Sequence, residues 1–331
     1  MPTLPSPRGP LSAHVLGALR SSPHTLPVCP APLDVDDDDF HLALYACYEL
    51  HYRGFDQCDD DWEWEPSLLA FRRSLESRFE AELTREARRG AVPSEDIEDG
   101  LWRLAAIDTR PSLSGYLAKK ASLTEVREFL MHRSAYHLKE ADPHSWGIPR
   151  LEGRTKAALV EIQADEYGGG REPLMHSTLF RTTMEAMGLD TGYGAYVDLL
   201  PGVTLATVNL MSLFGLHRRL RGALVGHLAL FEMTSTQPNR RYGLALRRLG
   251  FGREATQFFD EHVLADSVHE AVASHDLAAS MAAAEPALAG DILFGARALQ
   301  LLDQRWGRYV TSSWAAGRSS LRLKSGEQLA V

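Results

Sequence analysis

The amino-acid sequence predicts an all-α protein built as a bundle of several helices. Three observations lead to this prediction. Apolar residues recur every three or four positions along most of the chain, as they do on the buried face of a helix. Serine, proline and glycine stand at the places where such segments begin and end. No stretch alternates apolar and polar residues over the length of a strand.

The N-terminal part of the chain is predicted to consist of an arm and a helical extension. Residues 1–38 are rich in proline and serine and end in the acidic run Asp36–Asp39, which predicts a flexible arm. Residues 39–110 form the extension, with helices over FHLALYACYELHYRGF and EPSLLAFRRSLESRFEAELTREARRG. The acidic segment CDDDWEWEP between them is expected to be a solvated loop.

The next helix has a clear start and stop. Ser122 and Glu125 have the spacing of a capping box, in which each side chain binds the backbone N–H of the other residue. We expect the helix to run to about Asp142, because Pro143 cannot continue it.

A helical hairpin follows, with a turn made of three glycines. The first helix is predicted over about residues 154–167, and Gly168–Gly170 can adopt the positive φ angles that end a helix. Pro173 fits the first turn of the second helix, and Gly188 fits just past its end.

The last four predicted helices carry most of the apolar residues. The segments VTLATVNLMSLFGLH and RLRGALVGHLALFEMTS are apolar enough to be core helices. Two more helices are expected over about residues 254–276 and 288–310.

Charge and cysteine content restrict the kind of protein. With 44 acidic and 35 basic side chains the net charge is −9, which argues against binding to nucleic acid or to an anionic membrane. No apolar run reaches the roughly 20 residues of a membrane helix, and the N-terminus lacks the pattern of a secretion signal. Three cysteines, an odd and sparse number, suggest a reducing compartment. We therefore expect a cytoplasmic protein.

The segment HVLADSVH carries the first sign of chemistry. On a helix, His262, Asp266 and His269 lie at positions i, i+4 and i+7 and share one narrow stripe among apolar neighbours. Polar groups in such surroundings need partners. A metal ion would satisfy all three side chains, whereas a hydrogen bond between aspartate and histidine would satisfy two of them. The stripe alone leaves both interpretations open.

Other segments offer further ligands from facing helices. Glu166 is predicted in the last turn of one helix and His176 in the first turn of the next, and the glycine turn between them lets both side chains face one point. Glu140 is predicted near the end of the capped helix. Glu232 ends an otherwise apolar helix, where a charge needs a reason.

Three more polar residues lie near these positions in the sequence. We interpret His227, within ALVGHLAL, as a core histidine. His137 lies one turn before Glu140, so it is either structural or a residue that orients this glutamate. Asp165 is interpreted as part of a solvated helix face.

The order and spacing of these residues, together with EIQADEYGGG and MHSTLF, resemble the haem-oxygenase-like diiron oxidases and oxygenases, often labelled iron-containing redox enzymes. The resemblance covers roughly residues 115–315. It is nearest to members that N-oxygenate a guanidine or amine nitrogen in natural-product pathways.

The resemblance implies a haem-oxygenase-like bundle of seven helices over residues 111–318, followed by a tail over residues 319–331. It implies two Fe(II) ions, without haem. A further glutamate, Glu232, matches one that in some members ligates as the core rearranges around oxygen, which gives it a catalytic role as well. The six principal ligands implied are Glu140, Glu166, His176, His262, Asp266 and His269.

The implied activity is the oxidation of a small molecule with O2 as co-substrate. The chain has no flavin, nicotinamide or iron–sulfur signature, so an external electron donor is expected, and bundles of this type suggest a homodimer. Imidazoles mixed with carboxylates suit iron or manganese, and four anionic ligands balance two Fe(II) ions. Two alternatives stay open: C–C cleavage or desaturation of an amino or fatty acid, and an iron-storage, sensing or binding bundle without catalysis.

Overall fold

The computed structural model describes residues 1–29, 32–93, 96–107 and 112–322, without the side chains of Asp266 and Ser267. Throughout these ranges the regular structure is helical, which confirms the predicted all-α fold class. The helices are α1 Pro10–Ala18, α2 Asp38–Glu49, α3 Pro66–Glu86, α4 Ile97–Ala105, α5 Leu113–Lys119, α6 Leu123–His137, α7 Asp142–Ser145, α8 Gly153–Glu166, α9 His176–Ala186, α10 Gly202–Leu216, α11 Arg221–Arg248, α12 Arg253–Ala271, α13 Ser280–Ala284 and α14 Ala289–Ala315.

The prediction of a flexible arm over residues 1–38 is wrong for the segment that forms α1. This helix buries Leu11, Val15 and Leu16 and packs on α2. Its first N–H groups are not left unpaired, because the carboxylate of Asp39 accepts hydrogen bonds from the backbone of Leu11 and Ser12 at 2.8 Å each. Pro10 here marks the first turn of a helix, not a solvated chain.

The helical extension is built into the bundle. In α2 the residues from Asp39 to Glu49 are all buried, and this helix packs chiefly on α10. Leu42 and Leu44 of α2 therefore share one hydrophobic cluster with Leu205 and Leu213 of α10. The boundary predicted near residue 110 falls on residues 108–111, outside the described ranges, and stays a prediction.

Helix α6 begins as predicted and ends earlier than predicted. The capping box is present, with the hydroxyl of Ser122 accepting from the backbone of Glu125. The helix ends at His137, five residues before the expected end, because Pro143 sits in the first turn of a separate short helix, α7. Ala141 takes φ +73° between the two helices, so Glu140 projects from a tight turn.

The glycine turn between α8 and α9 has the conformation that the sequence indicates. Gly168, Gly169 and Gly170 have φ angles of +66°, +60° and +76°. A Cβ atom on Gly168 would lie 2.6 Å from the backbone of Leu174, so a side chain is excluded there. Pro173 belongs to a short 3-10 turn before α9 rather than to its first turn, and α9 begins at His176.

Two glycines let the long helices α11 and α14 cross at close range. A Cβ atom on Gly226 would lie 1.8 Å from the carbonyl oxygen of Ile292, and one on Gly295 would lie 1.9 Å from that of Ala223. Helix α11 also packs along α12, so it occupies the centre of the bundle. After α12 the chain continues as a π-helical segment, Val272–Ala279, which the sequence did not indicate.

The start of the predicted C-terminal tail is anchored. Ser320 is fully buried, and its N–H and hydroxyl both donate to the carboxylate of Glu128, at 2.8 and 2.6 Å. Residues 323–331 lie outside the described part of the chain. Among the helices of that part, none is by itself long and apolar enough to cross a membrane. Two helical segments joined by a sharp bend, Val268–Ala284 and Pro286–Ala315, reach that length and apolar composition only when taken together.

Candidate metal centre

Acidic and imidazole side chains from five parts of the chain converge inside the bundle. One group contains Glu140, Glu166, His176 and His262, and a second contains Glu166, Glu232 and His269. Within each group the potential ligand atoms all lie within 4.8 Å of one another, and every member is buried. Glu166 belongs to both groups, so it lies between two positions at which a cation would be surrounded by donor atoms.

The first group contains buried polar atoms with no hydrogen-bond partner among the described residues. These are Oε2 of Glu140, Oε2 of Glu166 and Nδ1 of His176. The last two atoms lie 2.8 Å apart without the geometry of a hydrogen bond. Buried donors and acceptors are almost always paired, and unpaired ones are costly. The donor set therefore fits a bound cation, which would satisfy all three atoms.

His262 is held in the form that a metal ligand needs. Its Nδ1 lies 2.8 Å from the carbonyl oxygen of Phe258, one turn earlier in α12. A carbonyl only accepts, so Nδ1 carries the hydrogen and, in the neutral ring, Nε2 keeps its lone pair. Nε2 is the atom that faces the centre, 3.6 Å from Oε1 of Glu140. Such fixing of the tautomer is usual for histidines that bind metals.

His137 orients Glu140, which resolves the choice that the sequence left open. Its Nδ1 lies 2.8 Å from Oε1 of Glu140. The ring of Phe258 packs against His137, His176 and His262, with centroid distances of 5.0, 6.3 and 4.3 Å. This aromatic contact limits the rotation of three imidazoles at once.

In the second group, His269 lies between two carboxylates. Its Nδ1 is 3.3 Å from Oε2 of Glu232, and its Nε2 is 3.1 Å from Oδ2 of Asp165. Burial lowers the pKa of His269, but these carboxylates outweigh it and raise the pKa to about 9. Sequence reasoning placed Asp165 on a solvated face; its carboxylate is 62% exposed, yet it fixes one ring nitrogen of His269. In the sequence, the position of Asp165 next to Glu166 is the feature that could have indicated this role.

The imidazoles keep the central carboxylates ionised. Burial raises the pKa of Glu140, but His137 and His262 outweigh it, so the pKa lies well below its usual range. For Glu166, burial is likewise outweighed, here mainly by His176, and the pKa is lowered. The carboxylates of Glu140 and Glu166 are therefore ionised, which is the form that binds a cation.

Asp266 lies in α12 between His262 and His269, and its side chain is outside the described residues. Its assignment as a ligand stays a prediction. The other six predicted site residues, which came from widely separated positions in the sequence, are brought together by the fold.

A small cavity of about 10 Å³ adjoins the cluster, which is the space of about one water molecule. Three of the clustered residues line it: Glu166, Glu232 and His262. Other wall residues include Tyr136 and His144. Sequence reasoning did not single out His144, because it lies in a short turn with no helical pattern around it.

Fold and site together define a class of protein: an all-helical bundle whose buried carboxylate and imidazole groups could hold metal ions. The sequence profile of the iron-containing redox enzymes matches residues 127–304, more than half of the chain. The chain belongs to this haem-oxygenase-like family, and its sequence resemblance is thereby confirmed. Members of this family are described as iron-containing redox enzymes.

One curated relative is nitrosourea synthase from Streptomyces achromogenes subsp. streptozoticus. The two sequences are 27% identical over 210 residues, which is 60% of this chain and 44% of the relative. The chain thus matches less than half of the length of that relative.

Proposed function

We propose that this protein is a nonhaem diiron oxygenase that uses O2 to oxidise a nitrogen atom of a small amine or guanidine. Glu166 carries the proposal, because it is the one residue common to both groups of potential ligands. A carboxylate has two oxygens and can bind two cations held a few ångströms apart. Mononuclear binding would leave one of the two groups unused.

The charges support two divalent ions. The described carboxylates of the cluster, Glu140, Glu166 and Glu232, supply three negative charges. The predicted ligand Asp266 would bring the total to four, equal to two Fe(II). Such neutralisation makes a buried ion pair tolerable away from water. The mixture of imidazole and carboxylate favours iron or manganese over Ca²⁺ or Mg²⁺.

The choice of nitrogen as the reacting atom is supported by the relative. Its name says that it makes a nitrosourea, a product with an oxygenated nitrogen. We carry only the class of reaction to this chain. One oxygen atom of O2 would enter an N–H bond to give N–OH, and the other would leave as water. Two electrons and two protons from an external donor complete the balance.

The protein's own groups have separate tasks in this proposal. In the first group, Glu140, His176 and His262 would hold one iron, and Glu166 would bridge to the other. In the second group, Glu232 and His269 would hold the other iron together with Asp266. Bound iron supplies the activation of O2. The protein orients ligands through His137 and Asp165 and keeps water out by burying the cluster.

A larger cavity is the proposed place of the substrate. It measures about 790 Å³, within the range of small-molecule sites, whereas the cavity at the cluster is far too small for an amine substrate. Met233 lines the large cavity and follows Glu232 directly in α11, so one helix borders both spaces. Arg133 and Asp303 contribute charges of both signs to the large cavity, and Trp306 contributes an aromatic face.

The proposal is tested by loading the protein anaerobically with Fe(II), adding a reductant and O2, and screening small amines, guanidines, amino acids and fatty acids by mass spectrometry. We expect an amine or guanidine to gain the mass of one oxygen, with 18O from 18O2 incorporated. Met233→Trp should lower turnover while iron content stays that of the wild type, which separates substrate access from metal binding.

Other results would redirect or remove the proposal. Loss of CO2 or hydrogen from an amino or fatty acid would replace N-oxygenation by C–C cleavage or desaturation. Iron uptake at the cluster with no O2-dependent product from any of these substrates would favour storage or sensing.

A further inference from the structure

His144 lines the small cavity beside the cluster and has a buried ring nitrogen with no hydrogen-bond partner among the described residues. The residue lies in α7 and is 1% exposed. Its Nε2 lies 3.1 Å from Nδ1 of His227, whereas its Nδ1 is buried and has no hydrogen-bond partner among the described residues. The same side chain lines the small cavity beside Glu166 and Glu232.

The turn that carries His144 is firmly held. The amide of Gln163 donates to the carbonyl of Ala141 and to the hydroxyl of Ser145, each at 2.7 Å. On the other side, a Cβ atom on Gly215 would lie 2.4 Å from the carbonyl oxygen of Pro143, so α10 presses directly on the turn. Contacts on both flanks of His144 leave its ring little freedom.

The two rings are neutral, and the charges around the cavity fix their hydrogens. Burial lowers the pKa of His144 to about 4 and that of His227 well below the usual value. Each ring therefore carries one N–H. The carboxylates of Glu166 and Glu232 make the cavity negative, which favours a hydrogen on Nδ1 of His144. His227 then donates its Nδ1–H to Nε2 of His144 and stacks on Phe231.

We propose that His144, oriented by His227, donates a hydrogen bond from Nδ1 to the small oxygen ligand, O2 or water, that occupies the cavity beside the irons. This inference rests on the proposed function. The cavity has room for about one water molecule, so it would hold the atom of the ligand that lies next to His144. A donor at this position stabilises negative charge on the ligand without being a metal ligand itself.

The test uses azide, a small anion, as the probe on the full chain loaded with iron and oxidised. Iron content is measured first, and azide is then titrated by visible absorption. We expect His144→Leu to keep the iron content of the wild type and to raise the Kd of azide about ten- to a hundred-fold, the effect of a hydrogen bond to a charged group. His144→Asn, which keeps a donor, should recover part of the affinity.

Ser235→Ala is the matched control, because Ser235 lines the same cavity while its hydroxyl bonds to the carbonyl of Phe231. Its azide affinity should equal that of the wild type. If His144→Leu does not fold, His227→Leu removes the orienting bond and leaves His144 in place, and a smaller rise in Kd is expected there.

An azide Kd within two-fold of the wild type in folded His144→Leu, or in His227→Leu where His144→Leu does not fold, would overturn the inference. A loss of iron in His144→Leu would overturn it too, since His144 would then be a ligand. Failure of the proposed function is a different result, because it appears in the wild type itself, as too little iron or as iron uptake without an O2-dependent product.

Discussion

The buried ion pair between Lys139 and Glu49 ties the N-terminal helices to the turn that carries Glu140. Nζ of Lys139 lies 2.9 Å from Oε2 of Glu49, and their side chains are 1% and 0% exposed. The other carboxylate oxygen accepts from the hydroxyl of Tyr193 at 2.6 Å. The ammonium also lies 4.1 Å from the centre of the Tyr52 ring. Lys139→Met would leave the buried carboxylate of Glu49 with neutral hydrogen-bond donors such as Tyr193 and without its counter-charge.

Removal of one partner of such a pair costs about 3–5 kcal/mol, because the remaining charge is buried and uncompensated. We expect this loss of unfolding free energy for Lys139→Met in urea denaturation of the metal-free protein. The double variant Glu49→Leu, Lys139→Met contains neither charge. It should be less destabilised than Lys139→Met alone, by about 1–3 kcal/mol, with Tyr193 as the group left unpaired.

A loss below about 1 kcal/mol for Lys139→Met would refute this reasoning, since the pair would then be accessible to water. A double variant less stable than both single variants would refute it as well. Because Lys139 is the neighbour of Glu140, iron affinity of the double variant also reports whether the extension positions the metal centre.

Three further predictions concern other parts of the molecule. Burial lowers the pKa of His132 to about 3, so below pH 6.5 the unfolded chain binds a proton that the folded chain does not. This residue should therefore lower the free energy of unfolding by roughly 2 kcal/mol at pH 5. His132→Gln should flatten the slope of the unfolding free energy against pH. Gly226→Ala should lower the free energy of unfolding in urea by more than about 3 kcal/mol, because its methyl group would meet the backbone of α14. Gly307→Ala has open space around the added methyl group and should be neutral or stabilising. Equal effects of the two substitutions would contradict the close helix crossing. His137→Ala should weaken iron binding about 10- to 100-fold by freeing Glu140, and an unchanged affinity in an anaerobic titration would show that this contact does not orient the ligand.

The sequence predicted the elements that obey local rules. The capping box at Ser122, the glycine turn after Glu166 and the position of His176 in the first turn of a helix all depend on a few neighbouring residues, and the structure has all three. The convergence of six of the predicted ligands followed from their helical positions together with the family resemblance.

What the sequence did not predict depends on contacts between distant segments. The early end of α6 at His137 and the turn at Ala141 place Lys139 against α2, about 90 residues away in sequence. The start of α1 is stabilised by Asp39, whose carboxylate accepts from the backbone N–H of Leu11. The pairing of His144 with His227 joins α7 to α11. The periodicity of the sequence indicates none of these contacts, because each arises from tertiary packing alone.

The central claim is that two irons share Glu166, and anaerobic Fe(II) titration with metal analysis tests it most directly. We expect two irons per chain in the wild type and one in His176→Ala or in His269→Ala. Glu166→Ala should lose tight binding of both. Two irons retained in Glu166→Ala, or in either histidine variant, would contradict the account.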